Sequence, residues 1–209
     1  MKLLTVLALA AATVLPAQTI AVMNRTKSTS DATLQAVTNA VATQVHNEYK
    51  AAWAKDATFV FVGRNQTPPA GAWNVTIDDR KGDYHTVTTA GMPTGYCHVS
   101  GVSVDYWTNT ISHEVLELRT NPYVNQTVIK NNSNGTTTIV NLEVCDACET
   151  NDQGYRISSI LMSDFVYPSW FQNNGTGPFD QTRLISSPFQ ILPGGYLSTG
   201  REAVWRHVH

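Results

Sequence analysis

"TISHEVLELRTNP", residues 110–122, decides how this sequence is read, because it sets one histidine and two glutamates inside an apolar helical pattern that stops at a proline. At about 100° per residue, Trp107, Ile111, Val115 and Leu118 fall on one arc, which predicts a helix with that arc toward a core. His113 and Glu117 fall well away from the arc, and Glu114 lies between them and its edge. One helical turn separates His113 from Glu117, so an imidazole nitrogen and a carboxylate can reach one divalent ion from the same side. Glu114 is offset enough to address a metal-bound water instead. A bound ion lowers the pKa of its water toward about 7, and an adjacent carboxylate takes the proton during attack on a carbonyl. The pattern is HExxE, not the HExxH of most zinc peptidases, and the competing reading is a solvated helix face on which His and Glu occur freely.

A catalytic zinc keeps three protein ligands and an open position, so a further donor must come from elsewhere. "LEVCDACE", residues 142–149, is the obvious source, with Glu143 and Asp146 in a strand-to-turn segment beyond the helix. Glu149 and Asp164 are weaker candidates. For Glu143 and Asp146 the competing reading is a solvated hairpin edge. His85 in "DYHTV" and His98 in "YCHVS" lie in strand-like segments, where ordinary packed or exposed histidines are the commoner outcome. Tyr155 and Tyr167 are read as packing residues, and His207 and His209 as exposed terminal residues outside any ligand set. Zn²⁺ is the expected ion; calcium or manganese stays open, because a carboxylate-rich shell selects less sharply than His₃ or Cys sites.

The rest of the chain reads as α+β. "TIAVMN" (19–24) is a strand, and Ser30 or Asp31 caps a long amphipathic helix through Leu34, Val37, Val41, Val45 and Tyr49 to about Trp53. "ATFVFVG" and "WNVTIDD" are strands around the "QTPPAGA" turn, "DYHTVTT" and "GYCHVSGVSV" add shorter ones, and "NNSNGTTTIVNLEVCD" is a polar hairpin entering a strand over 137–145. "YRISSILMSDFVYP" is a pair of extended segments. "FQNNGTGPFD" and "ILPGGYLSTG" are Gly/Pro loops, which leaves an irregular C-terminal lobe. The expectation is a mixed sheet with a long N-terminal helix and an active-site helix packed on one side.

Length and composition set the frame. The chain has 209 residues, 42% of them hydrophobic, without a second apolar block or a long charge run, so one domain over 18–209 is expected. Residues 1–17 read as a secretory signal peptide: Met1-Lys2, an apolar run too short to span a bilayer, then "PAQ" with Ala17 as the cleavage residue. A buried first strand is the alternative for that run. Seven Asn-X-Ser/Thr sequons, at Asn24, Asn65, Asn74, Asn125, Asn131, Asn134 and Asn174, suit a secreted glycoprotein. Without Lys2 the chain keeps 13 of its 14 Lys and Arg against 16 Asp and Glu, about −3 net, with no basic cluster to neutralise phosphates. Nucleic acid is a poor partner and none is expected, nor is a membrane once the signal is removed. Cys97, Cys145 and Cys148 cannot all pair within one chain; one bridge, from Cys97 to either of the others or between Cys145 and Cys148, plus a leftover thiol is expected. No G-x-S-x-G elbow, P-loop or dinucleotide fingerprint is present.

The set "SHEVLELRTNPYVN", "EVCDACE", "GYRISSILMSDFVYPSWF" and "ISSPFQILPGGY" resembles a group of uncharacterised bacterial and fungal secreted or phage-associated proteins with a zincin-like metallopeptidase signature. The spacing from His113-Glu114-x-x-Glu117 through Thr120-Asn121-Pro122 to Glu143-x-x-Asp146-x-Cys148 is more loosely similar to the exordium or phosphate-induced family of extracellular proteins. The first resemblance covers most of residues 19–200; the second covers only the helix and the segment beyond it. Such proteins tend to carry Asp where Asn121 stands, so no ligand role passes to Asn121. The resemblance implies a zincin-like fold and a metal site with His113 and Glu117 as ligands, Glu114 as general base, and Glu143 or Asp146 completing the shell. Two functions compete. One is a secreted zinc-dependent hydrolase acting on a peptide or protein. The other is a non-catalytic glycoprotein that binds an extracellular matrix or cell-wall component and keeps the ion for structure.

Overall fold

A computed structural model describes residues 17–80, 82–201 and 204–208, with side chains described as far as residue 200. The signal peptide, apart from Ala17, and the side chains of His207 and His209 lie outside the described residues.

The architecture is mixed α+β. Strand β1 (Gln18–Asn24) is followed by helix α1 (Asp31–Gln44), a π-helical stretch (Val45–Tyr49) and a short closing helix α2 (Lys50–Trp53). Ser30 caps α1 by accepting the Thr33 N–H. Strands β2 (Ala57–Val62), β3 (Trp73–Asp78), β4 (Tyr84–Val87) and β5 (Pro93–His98) complete a five-stranded sheet in the order β2-β1-β3-β5-β4. The first four strands of that order are parallel, and β4 alone runs antiparallel, at an edge. The interior strand β1, between β2 and β3, is buried on both faces, which is why "IAVM" reads as a continuous apolar run instead of an alternation.

Both helices lie on one face. Leu34, Val37 and Val41 of the first, with Val45 of the π-helical stretch, cluster with Ile111, Val115 and Leu118 of α3 (Val104–Thr120) over Ile20, Val22, Val75 and Ile77 of the sheet. A smaller apolar cluster of Ala21, Met23, Val62 and Ala72 covers the opposite face. Gln44 joins the layers: its Oε1 accepts from Ser112 Oγ at 2.7 Å and its Nε2 donates to the Ser163 carbonyl at 2.9 Å. Tyr49, at the end of the π stretch, meets Thr120 Oγ1 at 2.7 Å.

Beyond α3 the hairpin β6 (Thr127–Asn131) and β7 (Thr137–Asn141) turns through 132–136, and β8 (Tyr155–Ile157) pairs with β9 (Ile160–Met162). The strand expected over 137–145 stops at Asn141, and 142–149 is a loop closed by a 3₁₀ turn, Asp146–Cys148. The C-terminal segment read as a loop through "YLSTG" contains a strand, β10 (Leu197–Arg201), which lies between β7 and β11 (Val204–Val208) in a second, four-stranded sheet. Composition misleads there because the glycines serve a close contact. A Cβ on Gly195 would stand 2.6 Å from the Ala147 carbonyl oxygen, so only glycine lets this segment run against the 142–149 loop. Tyr196 N–H then donates to the Asp146 carbonyl at 2.9 Å.

The expected disulfide is not formed: Cys97, Cys145 and Cys148 are free and buried. Cys97 sits in β5, Cys145 Sγ approaches the His113 carbonyl at 3.8 Å, and Cys148 faces Asp164, three different surroundings with burial raising every thiol pKa.

Candidate metal centre

Helix α3 begins at Ser103, whose side chain accepts the Tyr106 N–H, and ends at Asn121, before Pro122. The face opposite its apolar arc is not solvated. His113, Glu114 and Glu117 are 9%, 5% and 3% exposed, enclosed by β4 on one side and the 142–149 loop on the other.

His113 Nε2 stands 3.1 Å from Glu117 Oε2 and 3.5 Å from Asp146 Oδ1. Two ligands of one tetrahedral ion with bonds of about 2.0–2.1 Å are separated by roughly 3.3–3.4 Å, so each of these two pairs stands near the spacing of ligands that share an ion. The remaining oxygens are already engaged. Glu117 Oε1 accepts the Cys145 N–H at 3.0 Å, and Asp146 Oδ2 accepts from Ser198 Oγ at 2.7 Å, with the Tyr196 hydroxyl also bonded to Asp146. Partners of this kind fix the orientation of metal-binding carboxylates.

His85, on β4, faces the same cluster. Its Nδ1 lies 3.5 Å from Glu114 Oε2 and 3.7 Å from Glu117 Oε2, and its Nε2 lies 3.5 Å from Glu143 Oε2. His85 Nε2, Glu114 Oε2 and Glu143 Oε2 are buried and make no hydrogen bond, their nearest opposite charges being the His85–carboxylate contacts at 3.5 Å. Orphaned buried polar atoms are rare in folded proteins and call for an account, an ion being one. Among the described residues two sets of three side chains bring potential ligand atoms within 4.8 Å of one another, His113, Glu117 and Cys145, and His85, Glu114 and Glu117. Asp146 belongs to neither and approaches through His113 at 3.5 Å.

The electrostatics are those of a crowded carboxylate site. Burial works against the charged form of His85, but Glu114, Glu143 and Glu117 outweigh it and hold the pKa at about 9. His113 is also raised, since Glu117 and Asp146 overcome its burial. Glu117 is pushed up to about 7 by burial and by Asp146, and Glu143 is raised by burial and by Glu117. Asp146 is lowered: burial opposes this, but His113, Ser198 and Tyr196 prevail.

The sequence candidates therefore divide. His113, Glu117 and Asp146 converge, with Glu114 beside them. Glu143 belongs to the His85 side, where Asn121 Nδ2 donates to its Oε1 at 3.0 Å. Asn121 also accepts the Asn125 and Gln126 N–H groups, so it aims Glu143 while closing the turn after α3. His98 is clamped by Asp83 at 2.8 Å and packs on Tyr106, outside the cluster. Asp164 accepts N–H groups from Phe165, Gln181 and Thr182 and organises the C-terminal lobe. Tyr155 is bonded to Glu48 and Gln44, and Tyr167 to Gln181.

Sequence reasoning undervalued His85 and missed Tyr196 and Ser198. The "PGGY" run held a usable signal for Tyr196, since paired glycines mark a backbone that comes close to another. A cavity of about 380 Å³ opens onto the cluster and is lined by His85, His113, Glu114, Glu117, Glu143, Asp146, Tyr196 and Ser198, among others. A second, of about 550 Å³, begins at His113 and Glu114 and extends along α3. Comparison of the chain with family models, with curated proteins and with solved structures gave no match.

Proposed function

We propose that this protein is a secreted, zinc-dependent hydrolase of zincin type that cleaves a peptide or protein. One observation carries the reading: His113 Nε2 has Glu117 Oε2 at 3.1 Å and Asp146 Oδ1 at 3.5 Å, beside a buried carboxylate oxygen, Glu114 Oε2, that receives no hydrogen bond and has only His85 Nδ1 facing it at 3.5 Å.

The donor set fits zinc, with one imidazole and two carboxylates, and His113, Glu117 and Asp146 would hold the ion. When bound, it supplies Lewis acidity and an acidified water. Glu114 takes the proton of the attacking water, and the cavity leaves room for the substrate carbonyl beside it. Ser198 and the Cys145 N–H hold the carboxylates in place, and Tyr196 lies at the cavity wall with its hydroxyl on Asp146. His85 brackets Glu114 from β4 and, with Asn121, keeps Glu143 beside the site. Secretion is supported by the character of residues 1–17 and by the exposed sequon asparagines Asn65, Asn125, Asn131, Asn134 and Asn174. Asn24, in contrast, is fully buried with its amide donating to Thr29 and Asp31 and cannot carry a glycan in this fold. Among the described residues no helix is long and apolar enough to cross a membrane.

The test is metal content by elemental mass spectrometry together with peptide hydrolysis, for wild type and Glu114→Gln. One zinc per chain in both, with turnover lost about 10²–10⁴-fold in the variant, is the expected result. Retained turnover in Glu114→Gln would sink the mechanism, and absence of stoichiometric metal in wild type would sink the site.

A further inference from the structure

The larger cavity, about 550 Å³, is continuous with the metal centre through His113 and Glu114, and away from His113 its charged lining is carboxylate. Asp83 enters from the loop before β4, while Glu149 and Asp152 come from the turn after the 3₁₀ segment; among the described residues no Lys or Arg lines it. Two aromatic side chains complete the wall. Tyr106 is 40% exposed and its hydroxyl donates to Asp83 Oδ2 at 3.1 Å, and Tyr196 stands between this cavity and the smaller one. The negative field is felt locally: the Tyr106 hydroxyl is pushed up by burial and then by Asp83 and Glu149.

A second observation is independent of the carboxylates. Asn109 is 4% exposed and lines the cavity, and its Oδ1 has no partner, while its Nδ2 donates to the Glu149 carbonyl at 3.2 Å and to Asn151 Oδ1 at 2.9 Å. The 149–152 turn is thus tied to the helix, and the wall keeps an unused acceptor. Acceptors, carboxylates and aromatic faces together match a group with several donors, a positive charge and a planar or compact head.

We propose that this cavity is the specificity pocket of the hydrolase and takes an arginine or lysine side chain next to the bond cut at Glu114. The assignment rests on the metal-dependent peptidase reading. Glu149 and Asp152 determine the choice by charge, Asp83 being already paired with His98 at 2.8 Å, while Asn109 accepts a donor and Tyr106 and Tyr196 flank the cationic head.

The probe is a set of fluorescein-labelled alanine-based hexapeptides carrying Arg, Lys, citrulline or Glu at one position. Binding is measured by anisotropy to the mature, zinc-loaded Glu114→Gln protein, so that the peptide stays intact. The arginine and lysine peptides are expected to bind about tenfold or more tightly than the citrulline peptide, the neutral isostere of arginine, with the margin shrinking at high salt. Asp152→Asn, at an exposed position, and Glu149→Gln should each narrow that margin without changing zinc content. Equal binding of arginine and citrulline peptides, a margin that survives both substitutions, or no binding of any peptide would overturn the pocket. Hydrolysis by wild type separates the two readings: cleavage without preference for Arg or Lys removes the pocket and keeps the peptidase, whereas tight selective binding without cleavage removes the peptidase and keeps the pocket.

Discussion

The backbone N–H of Cys145 donates to Glu117 Oε1 at 3.0 Å, and this contact fixes which Glu117 oxygen faces His113. A glutamate in place of the second histidine of HExxH has two equivalent oxygens and a longer, looser stem. The 142–149 loop removes that freedom by engaging one oxygen, and the same loop brings Asp146 to the other side of His113. One segment therefore sets two members of the trio.

Glu117→Gln is the sharp test of that arrangement. The amide still offers an oxygen to Cys145, but its other end becomes an NH₂ donor turned toward His113. Metal affinity should fall by roughly two orders of magnitude or more, since a first ligand is worth at least what an outer-shell partner is. Elemental analysis after dialysis against a zinc buffer reads the loss, and wild-type zinc content in the variant would show that Glu117 is not a ligand.

Ser198 acts one step further out. Its hydroxyl holds Asp146 Oδ2 at 2.7 Å, so Ser198→Ala should free that oxygen, weaken zinc by about 10- to 100-fold and leave the fold intact. Competition with a chromogenic chelator measures the shift. Unchanged affinity would mean that the Tyr196 hydroxyl alone orients Asp146.

How far the sequence carried depends on how local each feature is. The helix, its apolar arc and the His113–Glu117 pairing follow from a 3.6-residue period within 17 residues, and Asp146 was visible as a donor in a turn. His85 was not, because its role exists only once β4 lies antiparallel at the sheet edge and faces Glu143, 58 positions away in the chain. The fate of the face opposite the arc was likewise undecided by pattern, since "polar face" means solvated only when nothing covers it. Strand β10 was hidden for the same reason: Gly194 and Gly195 look like a loop, yet Gly195 serves the approach to Ala147, and the strand that follows is made by pairing with β11 and β7.

The pH dependence of the metal-free protein should be inverted relative to the loaded one. His85 has a folded pKa of about 9 against an ordinary 6.5, so its stabilisation is complete below about 6.5 and is lost as pH rises through about 9; His113 acts in the same direction. Glu117 has a folded pKa of about 7 against 4.5, so folding favours its protonated form and stability falls as pH rises across that interval. Asp146, being lowered, works the other way, but only at pH below its ordinary 3.8. In chelator, Tm should therefore drop from about pH 5.5 to about pH 8.5, while zinc affinity climbs over the same range because the ligands must shed their protons. Calorimetry in two buffers of different ionisation enthalpy should detect proton release on zinc binding. A metal-free Tm that rises over this range would contradict the clustered charges.

Gln44 tests whether the centre depends on the layer behind it. Its side chain is buried and spans the helix pair, accepting from Ser112 Oγ and donating to the Ser163 carbonyl and Tyr155 Oη, and Ser112 precedes His113. Gln44→Leu keeps the volume roughly constant but leaves the Ser163 carbonyl without this donor, and Ser112 Oγ keeps only its contact with the Ser163 N–H. The expected cost is about 1–3 kcal/mol, read as a lower urea midpoint at constant m. Because α3 would lose an anchor one residue before the proposed ligand His113, zinc affinity should fall together with stability. If stability drops and zinc affinity does not, the metal centre is held by the 142–149 loop and β4 alone, and the contact between the two helices serves the fold without serving the site.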